Sequence, residues 1–178
     1  MADIGLFKIK YGSFLSTFKE TSLDNSNNKN LCEDESQEVI NFDKIIEDKY
    51  PDSNNRPKSF DSIYLYNNLI FCIEFKNQKP AQVDNKELQE KIKDGKNELI
   101  NILQELNIQK DNYKFIYCVA YKDCKESYDR YKCGIAKDAV LFGLEKFEQN
   151  GFVKKVYTQN VSFFTKQFEK QFKKELMC

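Results

Sequence analysis

A chain of 178 residues, 40% of them hydrophobic and rich in Phe and Tyr, is long enough to bury the core of one globular domain. It contains no His and no Trp, which excludes His-based triads, His-ligated metal nucleases, zinc deaminases and imidazole acid–base chemistry, leaving carboxylates, Lys, Tyr, Cys or a metal to carry any catalysis. Basic and acidic residues both number 28, so no global basic field draws in nucleic acid and any such binding must use a local basic face.

Residues 1–20 hold apolar residues without clear periodicity and give no assignment. Residues 21–35 are polar, acidic and rich in Asn and Ser, and read as a mobile loop. Val39, Ile40, Phe42, Ile45 and Ile46 then predict an amphipathic helix over 36–49, with Ser36 as its N-cap and Pro51 beyond its end. Residues 51–58 form a loop. A β-hairpin follows over 60–76, turning at Asn67-Asn68, because Asn tolerates the positive φ of tight turns. Both faces of the hairpin are apolar along most of its length, which suggests a central, covered position in a sheet. Leu88, Ile92, Leu99, Ile102, Leu103 and Leu106 predict a long helix over 85–106. A buried strand is expected over 112–121, helix towards the end of 134–149, a short strand over 152–157 and a last helix over 161–176. A strand separated from the hairpin by a helix implies a parallel or mixed sheet. The fold class read from this order is α/β, a mixed central sheet with flanking helices, in a single domain spanning 1–178.

Six Cys are present. Cys72 and Cys118 fall in apolar strand-like runs, where Cys acts as a small hydrophobe. No CxxC pair occurs, so a structural zinc is not expected. No apolar leader or run of membrane-span length is visible. The expectation is a soluble, cytoplasmic protein with free thiols and no membrane partner.

Counting outward from Asn67-Asn68 sets the hairpin register. Leu65 faces Ile70, Ile63 faces Cys72, and Asp61 faces Glu74. Opposed residues share one side of a sheet, and Lys76, two residues on from Glu74, shares it too. Two carboxylates and an ammonium thus converge at the hairpin's end. Facing carboxylates are destabilising unless a cation sits between them. Hard carboxylate oxygens suit Mg²⁺, and a neighbouring Lys can orient water or stabilise a phosphate in flight. Metal-assisted phosphodiester hydrolysis uses these parts. A salt bridge between Glu74 and Lys76 is the plainer alternative.

Asp61, twelve residues, then Glu74-Phe75-Lys76 resembles the catalytic signature of the PD-(D/E)XK nuclease superfamily. Residues 57–79 are similar in layout to archaeal Holliday-junction resolvases and Mrr-like restriction nucleases. The chain departs in having Phe60, not Pro, before Asp61. The resemblance implies a restriction-endonuclease-like αβββαβ core, with Asp61, Glu74 and Lys76 as catalytic residues. It implies Mg²⁺, with Mn²⁺ able to substitute, held by Asp61, Glu74 and the backbone carbonyl of Phe75. Glu38, on the helix expected before the hairpin, is a candidate third carboxylate. Gln78 and Lys79 after the motif, and Lys93 on the next helix, are candidate nucleic-acid contacts. The lysines of that helix alternate with acids, so a solvated face is the competing reading. Tyr128, Arg130 and Tyr131 could stack on bases.

The same spacing occurs a second time, at Asp34 and Glu47-Asp48-Lys49, but there the Glu and Lys fall at the polar end of a helix. Only the Asp61 set lies on an apolar hairpin. The function expected is metal-dependent phosphodiester hydrolysis of nucleic acid, DNA before RNA, with a homodimer or protein partner open. The alternatives are a non-catalytic nuclease-like fold serving as an interaction, regulatory or immunity protein, and a plain interaction protein in which the motif is accidental.

Overall fold

The computed structural model describes residues 4–123 and 142–178. The hairpin turns where the sequence places it, with Asn67 at φ 52°. Its arms are strands β5 (Ser62–Tyr66) and β6 (Leu69–Lys76), paired in the expected register from Tyr66↔Leu69 to Ser62↔Ile73. The long helix follows as α4 (Asn85–Glu105), capped by Asp84, whose side chain accepts from the N–H groups of Lys86 and Glu87. That crossover returns the chain as β7 (Lys114–Tyr121), parallel to β6. β8 (Lys155–Asn160) then adds in parallel to β7. The predicted α/β class with a mixed sheet is what forms.

The other side of the hairpin is built from earlier chain. After α1 (Gly5–Lys10) come β1 (Leu15–Thr17) and α2 (Phe18–Thr21), in the stretch that periodicity left unassigned. β4 (Glu38–Asn41) pairs antiparallel with both β1 and β5. The six-stranded order is β1-β4-β5-β6-β7-β8, which leaves β5 and β6 central. β2 (Leu23–Asp24) and β3 (Lys29–Asn30) form a separate two-stranded ribbon. Helices α3 (Phe42–Lys49), α5 (Glu145–Gln149) and α6 (Val161–Phe172) complete the strands and α-helices among the described residues, with short 3-10 turns at Gly12–Phe14, Pro80–Gln82 and Lys110–Asn112.

Apolar side chains cover both faces of the sheet. Ile63, Cys72, Tyr117 and Val119 pack under α3 and α4 with Ile46, Leu88, Ile92 and Leu99. Tyr64, Phe71, Ile73 and Cys118 pack on the opposite face against Phe164, Phe168 and Phe172 of α6. The period-2 alternation of each strand supplies the two faces.

Five expectations are corrected. Residues 36–49 are not one helix: 38–41 form β4, and α3 begins only at Phe42, with the Asn41 side chain accepting from Lys44 N–H at 3.0 Å. Val39 and Ile40 enter opposite cores, as strand neighbours do. Consequently α3 lies inside the expected αβββαβ order, between its first two strands β4 and β5, not ahead of them. Residues 21–35, expected as a loop, carry β2 and β3, and Cys32 is in a disulfide with Cys178. That bond also corrects the expectation of free thiols. Cys72 and Cys118 are free and buried, while Cys124 and Cys133 lie outside the described residues. The last helix stops at Phe172, where Lys173 turns left-handed, although Leu176 stays buried beyond it. No helix among the described residues is long and apolar enough to cross a membrane.

Candidate functional site

The hairpin register delivers Asp61 to the end of β6. Asp61 Oδ2 accepts from the Phe75 N–H at 2.5 Å, which pins the carboxylate beside Glu74. Glu74 lies on the α4 side of the sheet, its side chain 1% exposed. Lys76 Nζ stands 3.1 Å from Glu74 Oε1 and 3.0 Å from Glu87 Oε1 on α4. Asp61, Glu74 and Lys76 therefore come together as the spacing implied.

The cation between the two carboxylates is Lys91 of α4. Its ammonium lies 2.8 and 3.0 Å from the two oxygens of Glu74 and 3.6 Å from Asp61 Oδ1. Sequence reading missed this role by treating the Lys/Glu alternation of α4 as a solvated face. A signal was available. Lys91 follows Glu87 by four residues, precedes Gly95 by four and abuts the buried Leu88 and Ile92, so it borders the helix's buried stripe. Asp43, the second residue of α3, is the other group missed. Ser59 Oγ donates a short hydrogen bond to it, and its charge is felt by both Asp61 and Lys91. Glu38 is not the third carboxylate. It sits on β4 rather than a helix, is exposed, and pairs with Lys8 at 3.5 Å.

Burial and charge set the protonation of the cluster. Burial, then the Glu74 charge, lifts the Asp61 carboxyl well above the usual range; Asp43 adds to this, and Lys91 and the Phe75 N–H oppose it. Burial alone would lower Lys91, but Glu74, Asp61 and Asp43 outweigh it and raise the ammonium above its ordinary value. Lys76 is raised in the same way, burial being overcome chiefly by Glu74 and Glu87. Burial raises Glu87, yet its bond to Lys76 and the nearby ammonium groups leave it lowered. Tyr117, across from Cys72 on β7, has a buried hydroxyl without a hydrogen-bond partner among the described residues. Burial, then the charges of Glu74 and Asp61, push its ionisation well up, so the hydroxyl stays neutral.

The cluster opens on a cleft of about 270 Å³ lined by Asp61, Glu74, Lys76, Gln78 and Lys91, with residues 21–26 forming the facing wall. The segment expected to be a mobile loop is thus part of the site. Of the other candidates, Gln78 is exposed in this cleft, whereas Lys79 and Lys93 are not among its lining residues. Tyr128, Arg130 and Tyr131 lie outside the described residues. The second Asp…Glu-x-Lys pattern is dispersed. Asp34 is buried under the N–H groups of Ser36, Gln37 and Met177, Glu47 pairs with Arg56, and Lys49 with Glu98 and Glu105.

Among the described residues no group of three or more His, Cys, Asp or Glu is arranged to hold a metal ion. Asp61 and Glu74 are two. Two carboxylates fit Mg²⁺ by donor chemistry, because Mg²⁺ is commonly held by one or two carboxylates with waters completing its shell. The place such an ion would take is shared with the Lys91 ammonium. In comparisons with family models, with curated proteins and with solved structures, nothing matches this chain.

Proposed function

We propose that the protein is a metal-dependent nuclease of the PD-(D/E)XK type that hydrolyses phosphodiesters of nucleic acid, DNA before RNA. One observation carries the reading: Asp61 and Glu74, from two strands of one hairpin, meet a shared ammonium at the mouth of an open polar cleft, with Lys76 alongside. Asp61, Glu74 and the Phe75 carbonyl would hold Mg²⁺ or Mn²⁺. The ion supplies Lewis-acid polarisation of the phosphate and a more acidic bound water. Asp61 is fixed for this by the Phe75 N–H. Lys76 is held in the cleft by Glu74 and Glu87, where it orients the attacking water and faces the charge that grows on the phosphate. An ion held there would compete with the Lys91 ammonium for the two carboxylates, and a phosphate in the cleft would offer Lys91 a replacement anion.

The same Lys91 favours a second reading. An ammonium that already bridges both carboxylates completes an ion-pair network, so the cleft could serve a non-catalytic, protein-binding member of the fold. Cleavage decides between them. With Mn²⁺ and a panel of duplex, single-stranded and branched DNA, the wild type is expected to cut at least one substrate. Lys76→Ala is expected to bind that substrate as well and to cut it about 10²–10³-fold more slowly, the usual loss for one transition-state donor. Asp61→Ala should lose both cleavage and any metal-induced rise in Tm. A wild type that binds Mn²⁺ and cuts nothing supports the non-catalytic reading. Full activity in Lys76→Ala removes this site as the catalytic centre.

A further inference from the structure

At the opposite end of the sheet, a second cleft collects basic and aromatic side chains that the nuclease reading does not use. β7 runs from Lys114 there to Tyr121 beside the carboxylate site, seven residue steps or about 23 Å of strand. The cleft holds about 470 Å³ and is lined by Lys96 of α4, Lys110, Tyr113, Lys114, Phe152 and Lys154. That volume falls within the range of small-molecule sites, roughly 300–1,000 Å³.

Lys96 is its most unusual member. The side chain is half-buried, and its ammonium has no carboxylate within ion-pair distance among the described residues. It lies over the rings of Phe152, at 4.2 Å, and Phe115, at 4.8 Å, and makes a short bond to the Phe152 carbonyl. Burial lowers it below its ordinary value, Cys72 opposes this, and Lys110 adds a smaller push in the same direction as burial. Lys110, Lys114 and Lys154 are exposed and likewise have no carboxylate at ion-pair distance among the described residues. Two acids share the walls. Glu148 is engaged with Lys155 at 2.6 Å and the Val156 N–H at 3.0 Å, which leaves Asp111 as the one uncommitted acid of this cleft among the described residues. Four ammonium groups against one free carboxylate leave this cleft strongly positive in a chain of zero net charge. Half-buried rings of Tyr113 and Phe152 stand among them.

We infer that this cleft binds a nucleoside phosphate, its phosphates paired with Lys96, Lys110, Lys114 and Lys154 and its base stacked on Phe152 or Tyr113. Lysines alone would take any anion; rings interleaved with them select one that carries a flat aromatic group. The same chemistry is presented by a free nucleotide and by the 5′-phosphorylated end of a strand, and the two are separated by measurement. The inference is independent of the nuclease reading, since none of these residues touches the carboxylate cluster.

The test is calorimetric titration of the full chain in EDTA, so that no divalent ion recruits phosphate to the carboxylate site. The titrants are ATP, pyrophosphate and a 5′-phosphorylated tetranucleotide. ATP is expected to bind, and pyrophosphate to bind more weakly by about fivefold or more, the loss of one stacked base. A tetranucleotide tighter than ATP identifies the strand end as the ligand; the reverse order identifies the free nucleotide. Lys96→Met, which keeps the apolar stem, should weaken ATP about tenfold, as removal of one charged hydrogen-bond donor does. Lys110→Gln and Lys154→Gln, both at exposed positions and so neutral for folding, should each weaken it severalfold. Lys166→Gln, an equal loss of charge on α6, should change nothing. Absence of ATP binding at millimolar concentration overturns the inference, as does equal affinity for pyrophosphate or unchanged affinity in all three cleft variants.

Discussion

Lys91 decides how the site behaves, because it is the counter-charge that allows two carboxylates to face each other under cover. Removing one partner from a buried ion pair leaves the others uncompensated, typically at about 3–5 kcal/mol. Lys91→Met is therefore expected to lose roughly that much in urea unfolding at pH 7. The penalty should shrink in acid. The folded-state value of Asp61 is raised above its unfolded value, so the folded protein holds an extra proton between the two, and this group's contribution to stability falls as pH rises through that window. Asp61→Asn keeps an oxygen to accept the Phe75 N–H while removing a charge. It should raise Tm at pH 7 and converge on the wild type only below about pH 3, under the ordinary Asp value, where the carboxyl is protonated in both states; a Tm below the wild type at pH 7 would contradict the assigned repulsion. If a divalent ion competes with Lys91 for the carboxylates, Mn²⁺ should raise the Tm of Lys91→Met more than that of the wild type. The sequence made Asp61, Glu74 and Lys76 legible because a two-residue turn fixes register by counting. Lys91 was legible only as a residue on the edge of the buried stripe of α4, and Asp43 not at all, because which sheet residues a helix edge meets is set by packing that no local pattern encodes.

At the scale of elements, the hairpin, α4 and β7 could be read from sequence because each shows its own period over many residues. The segment 36–49 could not. Val39, Ile40, Phe42, Ile45 and Ile46 satisfy a helical period taken together, but the first two are claimed by long-range pairing with β1 and β5. The local sign of the break was Asn41, a good N-cap in front of Phe42-Asp43. Gly95 shows the same dominance of packing over propensity. Gly in mid-helix costs about 1 kcal/mol relative to Ala. Here a Cβ would lie 2.8 Å from two ring carbons of Phe60, which stacks on Phe42 and is fully buried. Gly95→Ala is thus expected to destabilise by about 1–3 kcal/mol, the usual range for overpacking, despite its better propensity. Chemical denaturation checks the sign, and a stabilised variant would mean that Phe60 can move aside. Since Phe60 directly precedes Asp61, such movement would be transmitted to the site.

Over the whole molecule, the chain's tail and its early segment are tied together across the α6 side of the sheet. Cys32 is bonded to Cys178, Glu33 N–H donates to the Met177 carbonyl at 2.9 Å, and Met177 N–H donates to Asp34 at 3.1 Å. Immediately before this tie runs the β2–β3 ribbon, whose residues 21–26 wall the carboxylate cleft. The bond spans 146 residues of sequence, so in the unfolded chain it closes a loop that contains most of the protein. A disulfide of this kind contributes typically 2–4 kcal/mol, which for a domain of this size corresponds to about 4–16 °C in Tm. Reduction is expected to lower Tm within that range, and Cys178→Ser to reproduce the loss and to be indifferent to reductant. Cys72 and Cys118 do not confuse the measurement, since both are buried and burial pushes their thiols up, Cys118 to about 12. Because the tie anchors one wall of the cleft, amide exchange at 21–26 should rise on reduction, while exchange in β6 and β7 stays slow. Uniform acceleration throughout the sheet would instead assign the disulfide to global stability alone, with no particular hold on the wall of the site.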